Sequence, residues 1–291
     1  MHIENLELQR NVINVASVPH RSPFRYPGGK TWFVPTLRRW LTSVDNKPYN
    51  FIEPFAGGSI AGLTVAFENL AEKIILIELD QDVASVWQTI LSKDNSKLAT
   101  KIVDFELTRK NIDSILEKIP RNTFERAFQT ILRNRVNHAG IMAPGAGLVK
   151  NGEAGKGLSS RWYPETLAKR IVNIQTVKNK IIFKHNSAFE ALPEYLGSNR
   201  NAIFVDPPYT AAGKCAGARL YRHYQLDHNE LFNLFTKSKS DFLFTYDDNL
   251  EVRELANKRK FKSTLMAMKN SHHAKMTELL ISKDLSWLQN T

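Results

Sequence analysis

The residues with the clearest chemical potential are Asp206-Pro207-Pro208-Tyr209, which close a short apolar run from Ala202 to Val205. Two prolines after such a run stop a strand, and Asp before Pro favours a turn. The same segment also presents an acidic side chain beside a backbone carbonyl on a rigid support. That pair of acceptors matches an exocyclic amino group, which offers two hydrogens. Tyr209 then supplies an aromatic face on which a base rotated out of its stack can rest.

Two further groups have the spacing of a nucleoside site. Phe55-Ala56-Gly57-Gly58 follows the apolar Asn50-Phe51-Ile52 and Glu53-Pro54, where a strand would turn into a helix. Glycine there lets backbone amides approach a ligand, although a glycine-eased turn explains it equally well. About twenty residues on, the next apolar run ends in Glu78-Leu79-Asp80, where such folds place a carboxylate under ribose hydroxyls. The pair suits an adenosyl cofactor. It is neither the dinucleotide fingerprint, which needs a third glycine, nor a phosphate loop, which needs a following Lys-Ser/Thr.

These groups require elements to carry them. Residues 50–52, 74–77 and 202–205 read as buried parallel strands, and the stretches from Ile60 to about Asn69 and from Asp82 to Leu91 as helices between them. That alternation predicts a doubly wound sheet. Strand-like sequence resumes at 180–183, 242–245 and 278–281. Between about Leu98 and Val177 the pattern turns helical, as at 112–119 and 123–133, and a glycine-rich stretch follows from Gly140 to Gly157. It is too long for an ordinary connection and reads as part of an insertion.

With 291 residues, 42% of them apolar, the chain can bury a substantial core, and 40 Lys+Arg against 29 Asp+Glu leave a charge of +11. The excess raises the prior for a polyanionic partner, though many basic proteins only keep a solvated face. The lone Cys215 forms no internal disulfide, and no Cys/His cluster has zinc spacing, so no metal is expected. Residues 1–19 lack the pattern of a signal peptide and no run is long enough for a membrane span, so a cytoplasmic protein is expected.

The ordered motifs resemble the Dam-like adenine-N6 DNA methyltransferases. Arg25-Tyr26-Pro27-Gly28-Gly29-Lys30 resembles their N-terminal cofactor motif, Phe55 to Gly58 the glycine loop, Glu78-Leu79-Asp80 the ribose acid and Asp206 to Tyr209 the catalytic motif. Asn134-Arg135, Tyr221 to Leu231 and Phe244 to Asn249 are also similar to family stretches. The resemblance implies an α/β fold: a Rossmann-like methyltransferase sheet with helices on both faces, plus an inserted, mainly helical target-recognition subdomain. The catalytic domain would comprise residues 1–97 and 178–291, and the insertion residues 98–177. Where the family has an Asp facing the cofactor's adenine, this chain has Asn186-Ser187-Ala188-Phe189, so either Ser187 or Asn186 would take that contact or the cofactor would bind less tightly.

The resemblance further implies S-adenosylmethionine as cofactor, held by Tyr26, Gly28, Gly29, Lys30, Glu53 to Gly58, Glu78 to Asp80, Ser187, Ala188 and Asp206, with Lys30 near the methionine carboxylate. Double-stranded DNA would meet Arg133, Asn134, Arg135, Lys150, Arg161, Lys214 and Arg222. An ordinary surface salt bridge competes for Arg133 and Arg135. A cognate restriction endonuclease is a candidate partner, and a monomer or weak dimer, associated with the nucleoid, is the expected state. Cytosine N4, RNA adenine or a protein amide are alternative acceptors, and a silent DNA-binding protein on the same fold is the alternative outside enzymes. Trp87 and Trp162, with the scattered histidines, read as packing or surface residues.

Overall fold

The computed structural model describes residues 8–9, 18–25, 29–44, 47–143, 145–152, 155–208, 226–269 and 275–288. Strands β1 (Leu8–Gln9), β2 (Asn50–Glu53), β3 (Lys73–Glu78), β4 (Ile181–His185), β5 (Asn201–Val205), β6 (Asp241–Asp247), β7 (Lys262–Lys269) and β8 (Lys275–Ser282) form one sheet. Their order is β1-β7-β8-β6-β5-β2-β3-β4. All pairings are parallel except those of β8, which runs antiparallel between β6 and β7. This is a Rossmann-like α/β sheet.

Alternation along each strand divides the core. Phe51, Ile74, Leu76, Ala202 and Phe204 face one layer, and Ile52, Ile75, Ile77, Ile203 and Val205 face the other. The central strands are therefore apolar on both sides, which is why they read as unbroken apolar runs. The first layer holds α1 (Val34–Ser43), α2 (Ile60–Phe67) and α3 (Gln81–Ile90). The same apolar cluster continues without a break into α4 (Asn95–Val103), α5 (Arg109–Leu116), α6 (Thr123–Val136) and α7 (Pro164–Ile174), through Ile102, Ile112, Ile131 and Ile171. Residues 98–177 thus bury their apolar faces in the core of the sheet. The second layer holds α8 (Ala188–Ala191) and the helices His228–Phe235 and Leu250–Lys258. No helix among the described residues is long and apolar enough to cross a membrane.

From β2 the chain moves through β3 to β4 at one edge, then returns to place β5 on the other side of β2. The reversal opens a crevice at the carboxyl ends of β2 and β5, the place where ligands bind in such sheets. Register aligns Ile52 with Ile203 and Glu53 with Leu76. Running each strand two or three residues further brings Phe55, Glu78 and Asp206 to that one edge.

Candidate active site

The turn after β2 is shaped by residues inside it. Gly57 and Ser59 both adopt positive φ, 45° and 44°, so Gly58 lies between two left-handed residues. The Trp87 indole Nε1 donates to the Gly57 carbonyl at 2.8 Å, and the Ala56 amide donates to Ile77 O at 3.0 Å. Trp87 is fully buried, as its packing reading requires, and it also fixes the loop. A Cβ on Gly62, one turn into α2, would come within 2.5 Å of Ser59 Oγ and 2.7 Å of Glu53 Oε2, so only glycine fits there.

Glu53 explains that crowding. The sequence reading assigns it to the cofactor, but its buried carboxylate accepts from the Ser59 hydroxyl and from the Gly62 amide at 2.9 Å. It braces the loop from beneath. Burial, helped by the nearby Asp206 and Glu78 carboxylates, raises its pKa to about 8 against those two hydrogen bonds. Asp80 is likewise used internally: it caps α3, its side chain accepting from the amides of Asp82 at 2.7 Å and Val83 at 3.2 Å.

Glu78 is placed as a ribose acid would be. Its carboxylate accepts from the Gly57 amide at 2.8 Å through one oxygen and from the Asp80 amide at 2.8 Å through the other. Each oxygen has a second lone pair, which fits a pair of ribose hydroxyls. Burial of the carboxylate end raises its pKa to about 7 in spite of these bonds. Leu79 beside it is 46% exposed, an apolar surface suited to a nucleoside's adenine. The Asn186 amide donates to Glu78 O at 3.2 Å, which draws the loop after β4 to the same edge. There Ser187 caps α8 by accepting from the Phe189 amide, Asn186 Oδ1 accepts from the Ser187 amide, and Ala188 is buried. These groups and the glycine turn have the donor and acceptor chemistry of a nucleoside cradle.

Asp206 stands across the crevice. Thr245 Oγ1, from the neighbouring β6, donates to Asp206 Oδ1 at 2.9 Å, and Lys30 Nζ lies 3.0 Å from the same oxygen. Two donors on one oxygen fix the plane of the carboxylate. Pro207 is buried and Pro208 half-buried, while Tyr209 lies outside the described residues. Lys30 opens a 3-10 turn, Lys30–Phe33, that leads into α1, and Phe33 stacks on Phe204 of β5 with centroids 5.3 Å apart. That stack seats Lys30 beside Asp206.

The sequence reading puts Lys30 at the methionine carboxylate. The structure instead uses its ammonium inside the protein, because a lysine only 4% exposed needs an anion close by. It sits between Asp206 and Glu278 Oε1, the latter at 3.3 Å. Burial alone would lower its pKa, but the two carboxylates outweigh it and hold Lys30 above its ordinary range. Gly29 is exposed, and Tyr26 and Gly28 lie outside the described residues.

The expected DNA contacts divide. Asn134 is fully buried: its Nδ2 donates to Arg25 O at 2.8 Å and Gly140 O at 3.0 Å, and its Oδ1 accepts from the Arg25 amide at 2.9 Å. Arg135 is buried and donates to Pro23 O at 2.7 Å. Both therefore face inward and clamp the backbone at Pro23 and Arg25. Arg133 pairs with Asp82 at 3.3 Å, beside Arg126 at 3.0 Å, tying α6 to α3. Lys150 is exposed and Arg161 half-buried, and Lys214 and Arg222 lie outside the described residues.

Three contributors were not singled out from the sequence: Thr245 and Glu278 at the site, and Gly62 beneath it. Glu278 carries the one available signal, an acid opening the apolar run Glu278-Leu279-Leu280-Ile281. In the familial stretches late in the chain, Thr245 reaches Asp206 and other residues have structural partners. Asp227 and Asn249 cap the helices that follow them, and His228 lies buried 3.0 Å from the Tyr246 hydroxyl.

A family model for the D12 class N6 adenine-specific DNA methyltransferases matches residues 26–270. The chain belongs to this family. Membership makes the protein a methyltransferase. No curated protein matches the chain by sequence. Among solved structures it is similar to the rRNA methyltransferase aviRa from Streptomyces viridochromogenes, at 13% identity over 97% of this chain and 99% of that one, with a TM-score of 0.44. It is also similar to TYW2 from P. horikoshii in complex with MeSAdo, at 12% identity over 86% of this chain and 62% of that one, with a TM-score of 0.31.

The site's acids give the methyltransferase an unusual pH response. Glu53, Glu78 and Glu278 have folded pKa values of about 8, 7 and 7, each above the ordinary 4.5. A raised acid binds more protons folded than unfolded, so its contribution to stability is present at low pH and is lost as pH rises from about 4.5 towards the folded value. Unfolding by urea should therefore show stability falling from about pH 5 to about pH 9. Glu53→Gln, which keeps the shape and removes the charge, should flatten the profile. An unchanged slope in that variant would show that Glu53 is ionised throughout.

Proposed function

We propose that this methyltransferase transfers a methyl group from S-adenosylmethionine to N6 of adenine in double-stranded DNA, with the target base rotated out of the helix. The observation that carries the reading is the Asp206 carboxylate, held on one oxygen by Thr245 and Lys30 across the crevice from Glu78 and the glycine turn. The fit of the cofactor rests on those last two groups. Glu78 would accept from the ribose hydroxyls, Gly57 and Gly58 would let the chain approach closely, and Leu79, Asn186 and Ser187 would border the adenine. S-adenosylmethionine, when bound, supplies an activated methyl group.

The protein's part is position and electrostatics. The N6 lone pair is delocalised into the purine, which makes the amine a weak nucleophile. Asp206 and the carbonyl of Pro207 would accept its two hydrogens, favour a tetrahedral nitrogen and aim the lone pair at the methyl group. Asp206 is also the acceptor for the proton that the nitrogen loses after transfer. Tyr209 would stack on the flipped base. Residues 98–177 would form the target-recognition part, with the exposed Lys150, Lys156 and Lys169 meeting phosphates and residues 1–97 and 178–291 carrying the chemistry.

The direct test is incubation with labelled S-adenosylmethionine and unmethylated bacterial DNA, followed by digestion. N6-methyladenine is the expected product. N4-methylcytosine, or label in RNA or protein alone, would replace this reading with another acceptor, and binding of DNA without transfer would leave a silent DNA-binding protein. Glu78→Ala should weaken S-adenosylmethionine binding by about 1.5–3 kcal/mol, the worth of hydrogen bonds to a charged acceptor. Calorimetric titration measures it, and parent-like affinity would remove Glu78 from the ribose.

A further inference from the structure

We propose that Glu278 is a positioning residue of the methyl-transfer site, sharing the Lys30 ammonium with Asp206 and thereby setting how tightly that ammonium holds the Asp206 carboxylate. The inference rests on the reading of Asp206 as the group that meets the target amine. It adds a residue of β8, near the far end of the chain, to a site otherwise built from Lys30, the loop after β5 and Thr245 of β6.

The geometry is that of one buried cation between two acids. Lys30 Nζ lies 3.0 Å from Asp206 Oδ1 and 3.3 Å from Glu278 Oε1. Lys30 and Glu278 are 4% and 3% exposed, whereas the Asp206 side chain keeps 23% exposure toward the crevice. Glu278 comes from β8, the antiparallel strand, where it pairs with Asp247 of β6 on one side and Met266 of β7 on the other. An acid on an inner strand, away from solvent, has a cost unless it is paired, and stability alone would be served as well by an apolar residue. Its effect is on the division of the ammonium.

The charged groups acting on Glu278 are Lys30, which favours its ionised form, and Asp206 and Asp247, which oppose it. Burial and those two acids prevail, so Glu278 exchanges its proton near neutrality, at about 7, while Lys30 stays charged. When Glu278 carries its proton, the ammonium belongs to Asp206, whose carboxylate is then a weaker acceptor. When Glu278 is ionised, it draws the ammonium toward itself, and Asp206 accepts the amine hydrogens more strongly. Methyl transfer should accordingly rise as pH passes through neutrality.

The test compares the full-length parent with Glu278→Gln and Glu278→Asp in methyl transfer to DNA across pH, together with infrared spectra of the same proteins. In Glu278→Gln the rising limb should vanish and kcat above neutrality should fall roughly ten- to hundredfold, the scale of a misplaced reacting group. KM for DNA and for S-adenosylmethionine should stay at the parent value, and Glu278→Asp should restore part of the limb. A parent-like profile in Glu278→Gln, or a uniform loss that the Asp variant does not rescue, would overturn the proposal. The infrared measurement needs no turnover. A protonated-carboxyl band that titrates near neutrality should disappear in Glu278→Gln, and the Asp206 carboxylate band, identified with Asp206→Asn, should shift. If the parent methylates no DNA, the proposed acceptor fails, yet the spectra still decide on Glu278: an Asp206 band indifferent to Glu278 overturns the coupling.

Discussion

Asp206→Asn should lower the rate of methyl transfer by roughly 10²–10³-fold or more while S-adenosylmethionine binding stays near that of the parent. Asparagine keeps the size of the side chain and an oxygen for Thr245, but it removes the charge that draws the amine hydrogens and accepts the departing proton. The groups proposed to hold the cofactor lie on the other side of the crevice, after β2, at the end of β3 and in the loop after β4, so on this reading the two functions separate in space. Asp206→Ala should be at least as severe, since it also leaves the Thr245 hydroxyl without the partner it has at 2.9 Å. Single-turnover transfer combined with calorimetric titration resolves the two effects. Full activity in either variant would sink the assignment of Asp206, and loss of cofactor binding would move that residue to the donor's side of the site.

Lys30→Met should be the most destabilising substitution at the site. Methionine fills much of the same space, but it leaves Asp206 and Glu278 facing one another with no cation between them. Breaking a buried pair in this way costs about 3–5 kcal/mol, because the remaining charge is uncompensated. The deficit should shrink as pH falls and Glu278 takes up its proton, which is the sign that distinguishes it from a packing defect. Denaturant unfolding at several pH values measures both. Adding Glu278→Gln to Lys30→Met should recover part of the loss, and strict additivity of the two changes would mean that they do not interact.

The parts of this molecule that were legible in its residues are those whose signal is local. The strands at 50–53, 73–78 and 201–205 are apolar on both faces, so burial shows as an unbroken run. The Asp-Pro-Pro segment is legible because proline's missing donor and fixed backbone are properties of the residue itself. Strand β7 was missed for the opposite reason. It begins inside the basic run at 258–262, and its alternation of buried Thr264 and Met266 with more exposed neighbours is weak evidence within such polar sequence. The helix α1, the turn before it and the helix α7 also went unread. Pairings across long separations leave no local trace: Glu278 meets Lys30 across 248 positions. Asn134 and Arg135, expected at DNA, lie buried and bond main-chain carbonyls, because residue type reports what a side chain could bind and not which way it points. Glu53 and Asp80, expected at the cofactor, both bond the chain itself, since a carboxylate beside a glycine turn serves the chain's own amides as readily as a ligand.

The clamp formed by Asn134, Arg135 and Gly140 limits how this protein can be recombined. Gly140 has φ of 76°, and a Cβ there would come within 2.5 Å of Arg25 O, so this corner and the backbone at Arg25 fit only each other. An exchange of residues 98–177 with a relative, the natural way to graft a new sequence preference, would remove one half of that joint and keep the other. Graft points placed after Gly140, leaving α6 with its own amino-terminal segment, would preserve the seat of Lys30 and let the exposed lysines beyond be replaced. If residues 98–177 carry target recognition as proposed, the segment that can be exchanged is shorter than the apparent insertion, and its upstream border is set by a hydrogen-bonded asparagine rather than by a linker.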